Sequence, residues 1–196
     1  RPGVRILLFS MDKDGLAKQL GTRLGQCILT SPSSACYADF DSETQIDLGS
    51  AIRYFADGWQ ISKKFAGRHF WRMPVMEGEF LCEATTGMTG DGVGGGNLLF
   101  MARTSAQALA AAEAALEAMH KVPGAIMPFP GGIVRSGSKV GGKYKGMMAS
   151  TNDAYCPTLK GVTPSALTPE IGSVLEIVID GLSKKAVADA MRAGLK

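Results

Sequence analysis

The spacing of apolar residues predicts a strand, a helix and then a strand-rich middle. An apolar run from Val4 to Phe9 is typical of a strand, and apolar residues at every fourth position between Asp12 and Leu29 predict an amphipathic helix with Asp12 as its N-cap. Residues 31–50 are rich in serines and acids, which predicts an irregular connection. The next stretch alternates turn residues with apolar and aromatic runs, and so predicts four strands, at 52–56, 68–73, 79–83 and 97–101.

The second half of the chain predicts two helices separated by short strands. Thr104 is a suitable N-cap for an alanine-rich helix that ends near Met119. A strand is expected at 125–127, with a continuation at 133–134 after a pair of glycines. The apolar run 174–179 is interrupted only by Glu176 and predicts another strand, and the spacing in 183–196 predicts a final amphipathic helix.

The two ends of the chain resemble each other. Residues 6–16 align without gaps on residues 177–187, which indicates a weak repeat of a strand–helix unit. A split βαβ lobe needs a strand after its second helix. We therefore predict an α+β fold of two ferredoxin-like split βαβ lobes that is truncated at both ends, with an incomplete first lobe at 1–76 and a second lobe, lacking its last strand, at 77–196.

Composition and charge narrow the class of protein. A chain of 196 residues with 45% hydrophobic content can bury a core. Its net charge of +3 is too small for a protein that binds nucleic acid chiefly through phosphates. The longest apolar runs are too short to span a bilayer, so we expect no membrane partner. Four cysteines without paired spacing predict reduced thiols in a cytoplasmic protein and no metal site.

Two other motifs have structural explanations that we favour. Residues 90–95 satisfy the pattern G-x-G-x-x-G, but the residues after them predict a strand instead of the helix that a dinucleotide site needs. We therefore expect a hairpin loop, and an ATP- or NAD-binding enzyme is the minor alternative. Cys156 could act as a nucleophile, although neither His69 nor His120 lies near it in the sequence.

The stretch from Pro128 to Thr158 has the composition of a ligand-binding loop. It begins with two prolines around a phenylalanine and a pair of glycines, and it has no acid before Asp153. Its four cations are Arg135, Lys139, Lys143 and Lys145. Glycines let backbone N–H groups approach an anion closely, and cations attract negative charge. A solvated basic loop without a ligand is the alternative.

Glu176 is the ionisable residue best suited to chemistry. On a strand it shares one face with Val174 and Val178, while leucine and isoleucines occupy the other face, so both faces are expected to be buried. A carboxyl group among valines favours its protonated form and is thereby suited to hold or pass a proton near neutral pH. The alternative is a strand-end glutamate that reaches water.

Three long motifs in the sequence are typical of one enzyme family. They are Pro-Phe-Pro-Gly-Gly-Ile-Val at 128–134, Ser-Thr-Asn-Asp-Ala-Tyr-Cys-Pro-Thr at 150–158 and Glu-Ile-Val-Ile-Asp-Gly-Leu at 176–182. With supporting matches at 1–4, 24–27, 74–80 and 138–140, the chain resembles the formylmethanofuran:tetrahydromethanopterin formyltransferases. The resemblance runs from Arg1 to Lys196 and covers the central portion of that family. The basic composition resembles the formyltransferase subunit of the formyltransferase/hydrolase complex of methylotrophic bacteria.

The resemblance implies a role in one-carbon metabolism. It implies reversible transfer of a formyl group between N5 of tetrahydromethanopterin and the amine of methanofuran or methylofuran, without a metal or a tightly bound cofactor. The family's catalytic glutamate matches Glu176. A homo-oligomer, dimer or tetramer, is implied, and in bacteria formyl hydrolase subunits are implied as partners that convert the furan carrier's formyl amide to formate. A non-catalytic scaffold subunit that binds the carrier is the alternative function.

A set of substrate-binding residues is expected around that glutamate. The backbone N–H groups of Gly131 and Gly132 are expected to contact a ligand or an oxyanion, and the cations are expected to bind the acidic tails of both carriers. The full expected set is Phe129, Pro130, Gly131, Gly132, Arg135, Ser138, Lys139, Lys143, Ser150, Thr151, Asn152 and Tyr155.

Overall fold

The chain folds as two compact α+β units, Arg1–Gly90 and Asp91–Lys196. The computed structural model describes residues 2–90, 92–135, 146 and 152–196. The division of the sequence at 76/77 stays a prediction, although β5 (Gly78–Glu83) pairs with β4 (Arg68–Val75) inside the first unit. In the described part of the chain, none of the helices is long and apolar enough to cross a bilayer.

The first unit contains one long helix, a four-stranded sheet and a separate pair of short strands. Helix α1 (Lys13–Arg23) begins after Asp12, whose carboxylate accepts a hydrogen bond from the Gly15 N–H at 2.6 Å, and it continues into a π-helical turn, Leu24–Ile28. The predicted helix and its cap are confirmed. The sheet has the order β1-β5-β4-β3, with β1 at Ala35–Cys36 and β3 at Ile61–Phe65. Strands β2 (Gln45–Asp47) and β6 (Thr85–Gly87) pair separately, and α2 (Gly49–Ile52) leads into a 3₁₀ turn, Arg53–Ala56.

Two strands predicted in this unit are wrong. The run Val4–Phe9 pairs with no other strand among the described residues, and Val4 and Ile6 are 87% and 56% exposed. An apolar run without a hydrogen-bonding partner does not become a strand. Residues 52–56 are helical because Ile52 and Ala56, four residues apart, are both buried in the core.

An ion pair between the exposed Arg68 and the buried Glu83 joins three segments of the first unit. Glu83 accepts hydrogen bonds from Arg68 Nε and from the Ala38 N–H, each at 2.7 Å, and Arg68 Nη2 forms a salt bridge with its second oxygen. Burial alone would raise the pKa of the Glu83 carboxyl, but the guanidinium and the N–H outweigh burial and leave the pKa below its usual value. The carboxylate is therefore held in its charged form.

The second unit places two helices on one face of an antiparallel three-stranded sheet. In chain order its elements are β7 (Val93–Ala102), α3 (Ser105–Met119), β8 (Ala125–Ile126), β9 (Ser173–Gly181) and α4 (Lys184–Gly194). The sheet order is β7-β9-β8. These elements confirm the strands and helices predicted for the second half, except the continuation at 133–134, and Thr104 caps α3 together with Gln107.

The core of this unit lies between the sheet and the two helices. Its buried side chains come from β7, β9 and both helices: Leu98, Ala112, Ala115, Leu116, Met119, Ile177, Ile179, Val187 and Ala190. Gly96 contributes by being small, because a Cβ there would lie 2.4 Å from Val187 Cγ1. The G-x-G-x-x-G pattern of residues 90–95 is followed by a strand and not by a helix, as expected. Its last three residues already belong to β7, so the hairpin loop expected over the whole pattern is wrong there.

Candidate active site around Glu176

Glu176 lies in β9, the middle strand of the three-stranded sheet of the second unit, on the face away from the helices. Its neighbours Ile177 and Ile179 belong to the core under α3 and α4, and because successive strand residues alternate in direction, the side chain of Glu176 points to the opposite face. The residue is only 4% exposed. The prediction of a buried carboxyl group is confirmed, and the interpretation as a strand-end glutamate that reaches water is wrong.

Backbone pairing fixes Glu176 from both sides. Leu99 of β7 lies directly opposite it on one side. On the other side, Val134 and Glu176 exchange two backbone hydrogen bonds, each of 2.8 Å. The continuation of the strand at 133–134, predicted from the sequence, is reduced to this single bridge at Val134. The backbone of Glu176 is therefore held by two hydrogen bonds to Val134 on one side and by the pairing of β9 with β7 on the other.

The proline- and glycine-rich segment 127–133 forms a bulging loop beside β9. It leaves the sheet after Ile126, which pairs with Asp180, and returns at Val134, so its seven residues stand opposite only residues 177–179. At its tip Phe129 is 94% exposed. The ends of the loop pack into the core through Met127 and Ile133. The loop thus has anchored ends and an exposed tip.

The two glycines of this loop differ in environment. Gly132 is buried, has a φ of 82°, and donates its N–H to the Pro128 carbonyl at 2.6 Å. A Cβ on Gly132 would lie 2.4 Å from Leu116 Cδ1, whereas a Cβ on Gly131 would meet nothing within 4 Å. Gly132 therefore closes the loop against α3, and Gly131 is the exposed member of the pair.

Two asparagine side chains approach the Glu176 carboxyl group. Asn97 on β7 donates from Nδ2 to Oε1 at 2.7 Å, and Asn152 Nδ2 lies 3.5 Å from Oε2. The structure thus brings together Glu176 and Asn152, two residues that the sequence analysis singled out. Asn97 was missed, although an asparagine in a run of apolar strand residues is itself unusual and could have signalled a polar contact.

The remaining candidates lie near this site in the chain or outside the described residues. Arg135 is exposed and directly follows Val134, and Tyr155 is half-buried in the 3₁₀ turn Asp153–Tyr155 that follows Asn152. The thiol of Cys156 donates to the Asn152 carbonyl at 3.3 Å. Five of the expected substrate-binding residues lie outside the described residues: Ser138, Lys139, Lys143, Ser150 and Thr151.

Lys160 stabilises the connection from the Asn152 segment to β9. Its Nζ donates to three backbone carbonyl oxygens at 2.5 to 3.0 Å, those of Thr168, Pro169 and Ile171. An ammonium group has three N–H donors, so this arrangement can satisfy all of them. Over the ranges that the structure describes, no cluster of three or more His, Cys, Asp or Glu side chains has the arrangement of a metal site.

Two family models match the chain in succession. The formylmethanofuran-tetrahydromethanopterin formyltransferase model matches residues 1–75, and the model of the FTR proximal lobe matches residues 78–196. The chain belongs to the formylmethanofuran-tetrahydromethanopterin formyltransferase family. The resemblance stated from the sequence motifs is thereby confirmed.

Individual members of this family match over the whole chain but extend beyond it. A formylmethanofuran–tetrahydromethanopterin formyltransferase of Methylococcus capsulatus is 63% identical over 196 residues, which are all of this chain and 65% of that protein. The crystal structure of the formyltransferase/hydrolase complex from Methylorubrum extorquens with methylofuran contains a chain that is 59% identical, with a TM-score of 0.88 over 94% of this chain and 61% of that one. The formyltransferase from Methanosarcina barkeri is 39% identical, with a TM-score of 0.85 over 95% and 64%. The chain thus spans slightly less than two thirds of the length of these relatives.

Proposed function

We propose that this protein transfers a formyl group between N5 of tetrahydromethanopterin and the amine of a methanofuran-type carrier, with Glu176 as the catalytic acid and base. The observation that carries the proposal is the buried carboxyl group of Glu176, hydrogen-bonded to Asn97 at 2.7 Å and placed beside the exposed loop 127–133. The names of the relatives support the two carriers as substrates.

The reaction requires one proton to move between two nitrogen atoms. The acceptor nitrogen attacks the formyl carbon, a C–N bond forms, and Glu176 takes the proton that this nitrogen loses. The bond from the formyl carbon to the donor nitrogen then breaks, and Glu176 returns the proton to the donor nitrogen, so that atoms and charge balance. General acid–base catalysis of this kind contributes about 10²- to 10⁴-fold. Holding both carriers beside one carbonyl group supplies on the order of 7–11 kcal/mol more.

The substrate-binding role of the residues around Glu176 belongs to the same proposal. Phe129, Pro130 and Gly131 form the exposed tip of the loop, where a planar ring and a backbone N–H can meet a carrier. Gly132 supports the loop from inside. The cations Arg135, Lys139 and Lys143 are proposed to bind the acidic carrier tails. The polar side chains of Ser138, Ser150, Thr151, Asn152 and Tyr155 are proposed to orient the formyl group.

The fold of the second unit is part of the proposal. The element order β7-α3-β8-β9-α4 with sheet order β7-β9-β8 corresponds to the first five elements of a ferredoxin-like split βαβ lobe, and we propose that fold for the second unit.

A partnership with formyl hydrolase subunits is supported by the solved formyltransferase/hydrolase complex. A cytoplasmic homo-oligomer without a tightly bound cofactor or metal completes the proposal.

The decisive experiment replaces one carboxyl group at a time. Formyl exchange between formyl-tetrahydromethanopterin and a furfurylamine-type acceptor is measured for the full-length protein, for Glu176→Gln and for Glu113→Gln. Glu113 makes the matched control because it undergoes the same chemical change on the exposed side of α3. Glu176→Gln is expected to lose about 10²- to 10⁴-fold in kcat, and Glu113→Gln to keep the original rate.

Two outcomes would contradict the proposal. Unchanged turnover of Glu176→Gln would remove this residue from the mechanism. A well-folded protein that binds the carrier but transfers no formyl group would favour the scaffold function, and the activity would then be sought in its partners.

A further inference from the structure

We infer that Asn97 is a positioning residue that fixes the carboxyl group of Glu176 and determines which of its two oxygens carries the proton. The inference rests on the proposed function and adds a residue that the sequence motifs do not contain. It is carried by the 2.7 Å hydrogen bond from Asn97 Nδ2 to Glu176 Oε1.

The strand register brings the two side chains together. Leu99 pairs with Glu176 and Asn97 pairs with Val178, so Asn97 and Glu176 lie diagonally across β7 and β9. Residues two apart on a strand share a face, and the side chain of Asn97 therefore lies on the same face of the sheet as Glu176. Leu98, between Asn97 and Leu99, packs into the core on the other face, which fixes the strand at this point. The donor atom is thus held by secondary structure and not by a loop.

The hydrogen bond restricts a side chain that would otherwise be mobile. A free glutamate samples several rotamers, and ordering it costs conformational entropy. The contact with Asn97 comes from the protein itself, so the orientation of the carboxyl group does not depend on a contact with a carrier. A displacement of about 1 Å at a reacting group can cost about 10²-fold in rate.

The same contact assigns the proton to one oxygen. An amide NH₂ group donates and does not accept, so an oxygen in close contact with it presents a lone pair. Both oxygens face an amide NH₂ group, but the contact is 2.7 Å at Oε1 and 3.5 Å at Oε2. The shorter hydrogen bond keeps the lone pair on Oε1, and the O–H of a protonated Glu176 therefore lies on Oε2. The oxygen that takes the proton from the attacking nitrogen is then the one that returns it to the leaving nitrogen, without rotation of the carboxyl group.

The test combines two variants of Asn97, the single variant Glu176→Gln, one double variant and one control in the full-length protein. Asn97→Ala removes the donor, and Asn97→Asp keeps the shape but replaces the donor by an acceptor. Met101→Ala is the control because Met101 lies on the same face of β7, is 42% exposed and pairs with Val174. Asn97→Ala and Asn97→Asp are each expected to lower kcat about 10²-fold with KM changed less than about threefold. Met101→Ala is expected to leave both constants unchanged.

The double variant Asn97→Ala with Glu176→Gln separates positioning from a general structural role. If Asn97 acts through Glu176, its replacement costs less than about twofold once Glu176 has been replaced, whereas a structural defect would multiply with the first loss. Urea unfolding of each variant gives the folded fraction, and Asn97→Asp replaces Asn97→Ala in the cycle if the alanine variant does not fold.

The outcomes distinguish this inference from the function on which it rests. Full activity of Asn97→Ala, full activity of Asn97→Asp, or losses that multiply in the double variant would overturn the role of Asn97 while leaving formyl transfer intact. Absence of transfer by the unsubstituted protein would overturn the proposed function and this inference with it.

Discussion

Replacement of Gly132 by alanine is expected to destabilise the second unit, whereas the same change at Gly131 is not. The two glycines are neighbours, and each substitution adds one methyl group to the same loop. They differ in that Gly132 has a φ of 82° and would place its Cβ 2.4 Å from Leu116 Cδ1, while the Cβ at Gly131 would meet nothing within 4 Å. The pair therefore isolates the effect of local environment.

The magnitude follows from two terms. A left-handed backbone costs a non-glycine residue roughly 1–2 kcal/mol, and an extra methyl group in a packed core costs about 1–3 kcal/mol. Leu116 is 9% exposed and surrounded by the core, so it cannot move aside without disturbing its neighbours. Gly132→Ala should thus lower the free energy of unfolding by about 2–5 kcal/mol. Gly131→Ala should change it by less than about 1 kcal/mol.

Urea unfolding followed by circular dichroism measures both variants against the original protein. The reasoning would be refuted if Gly132→Ala unfolded at the same urea concentration as Gly131→Ala, because then neither the backbone angle nor the contact with Leu116 would matter. The formyl exchange assay adds a second result. A stable Gly131→Ala that loses activity would support a contact between this exposed part of the loop and a carrier.

Two further predictions concern charged groups that support each unit. Lys160→Met removes an ammonium group that donates to three carbonyl oxygens, and should lower the free energy of unfolding by about 1–3 kcal/mol in a urea titration. The control is Lys121→Met, which removes a surface ion pair of 3.9 Å and should lower the free energy of unfolding by less than about 0.5 kcal/mol. Glu83 has a lowered pKa in the folded state, so its stabilising effect is complete above the unfolded value of about 4.3 and is lost as the pH falls through the folded value. The difference in urea midpoint between the original protein and Glu83→Gln should therefore shrink from about pH 6 to about pH 3, and a difference that did not depend on pH would contradict the assigned ionisation.

The second unit could be predicted from the sequence because local and long-range signals agree there. The run 174–179 is apolar on both sides of Glu176 and becomes a central strand, paired with β7 on one side and with β8 and Val134 on the other. Thr104 provides a cap where the helical spacing begins. The buried position of Glu176 followed from the same alternation.

The errors in the first unit arise where tertiary pairing decides between possible structures. The run Val4–Phe9 has the composition of a strand, but composition does not supply a partner strand. Residues 52–56 contain aromatic residues that favour strands, yet the spacing of Ile52 and Ala56 buries both on a helix. Periodicity was the better guide in that segment.

The hydrogen bond between Asn97 and Glu176 could not be predicted from the sequence for a different reason. Asn97 is 79 residues away in the chain, and only the register of β7 against β9 brings the two side chains within hydrogen-bonding distance. A register shift of one residue would turn Asn97 to the opposite face. Motifs identify neighbours along the chain, whereas this contact depends on pairing between strands.

The anchoring of loop 127–133 at both ends has a consequence for how movements of the tip reach the carboxyl group. Ile126 and Val134 are each paired with a fixed residue of β9, so a shift of the tip need not alter which residue lies beside Glu176. The exposed tip and the position of the Glu176 backbone are therefore mechanically separate. Gly132, which closes the loop against α3, marks the inner end of the exposed part.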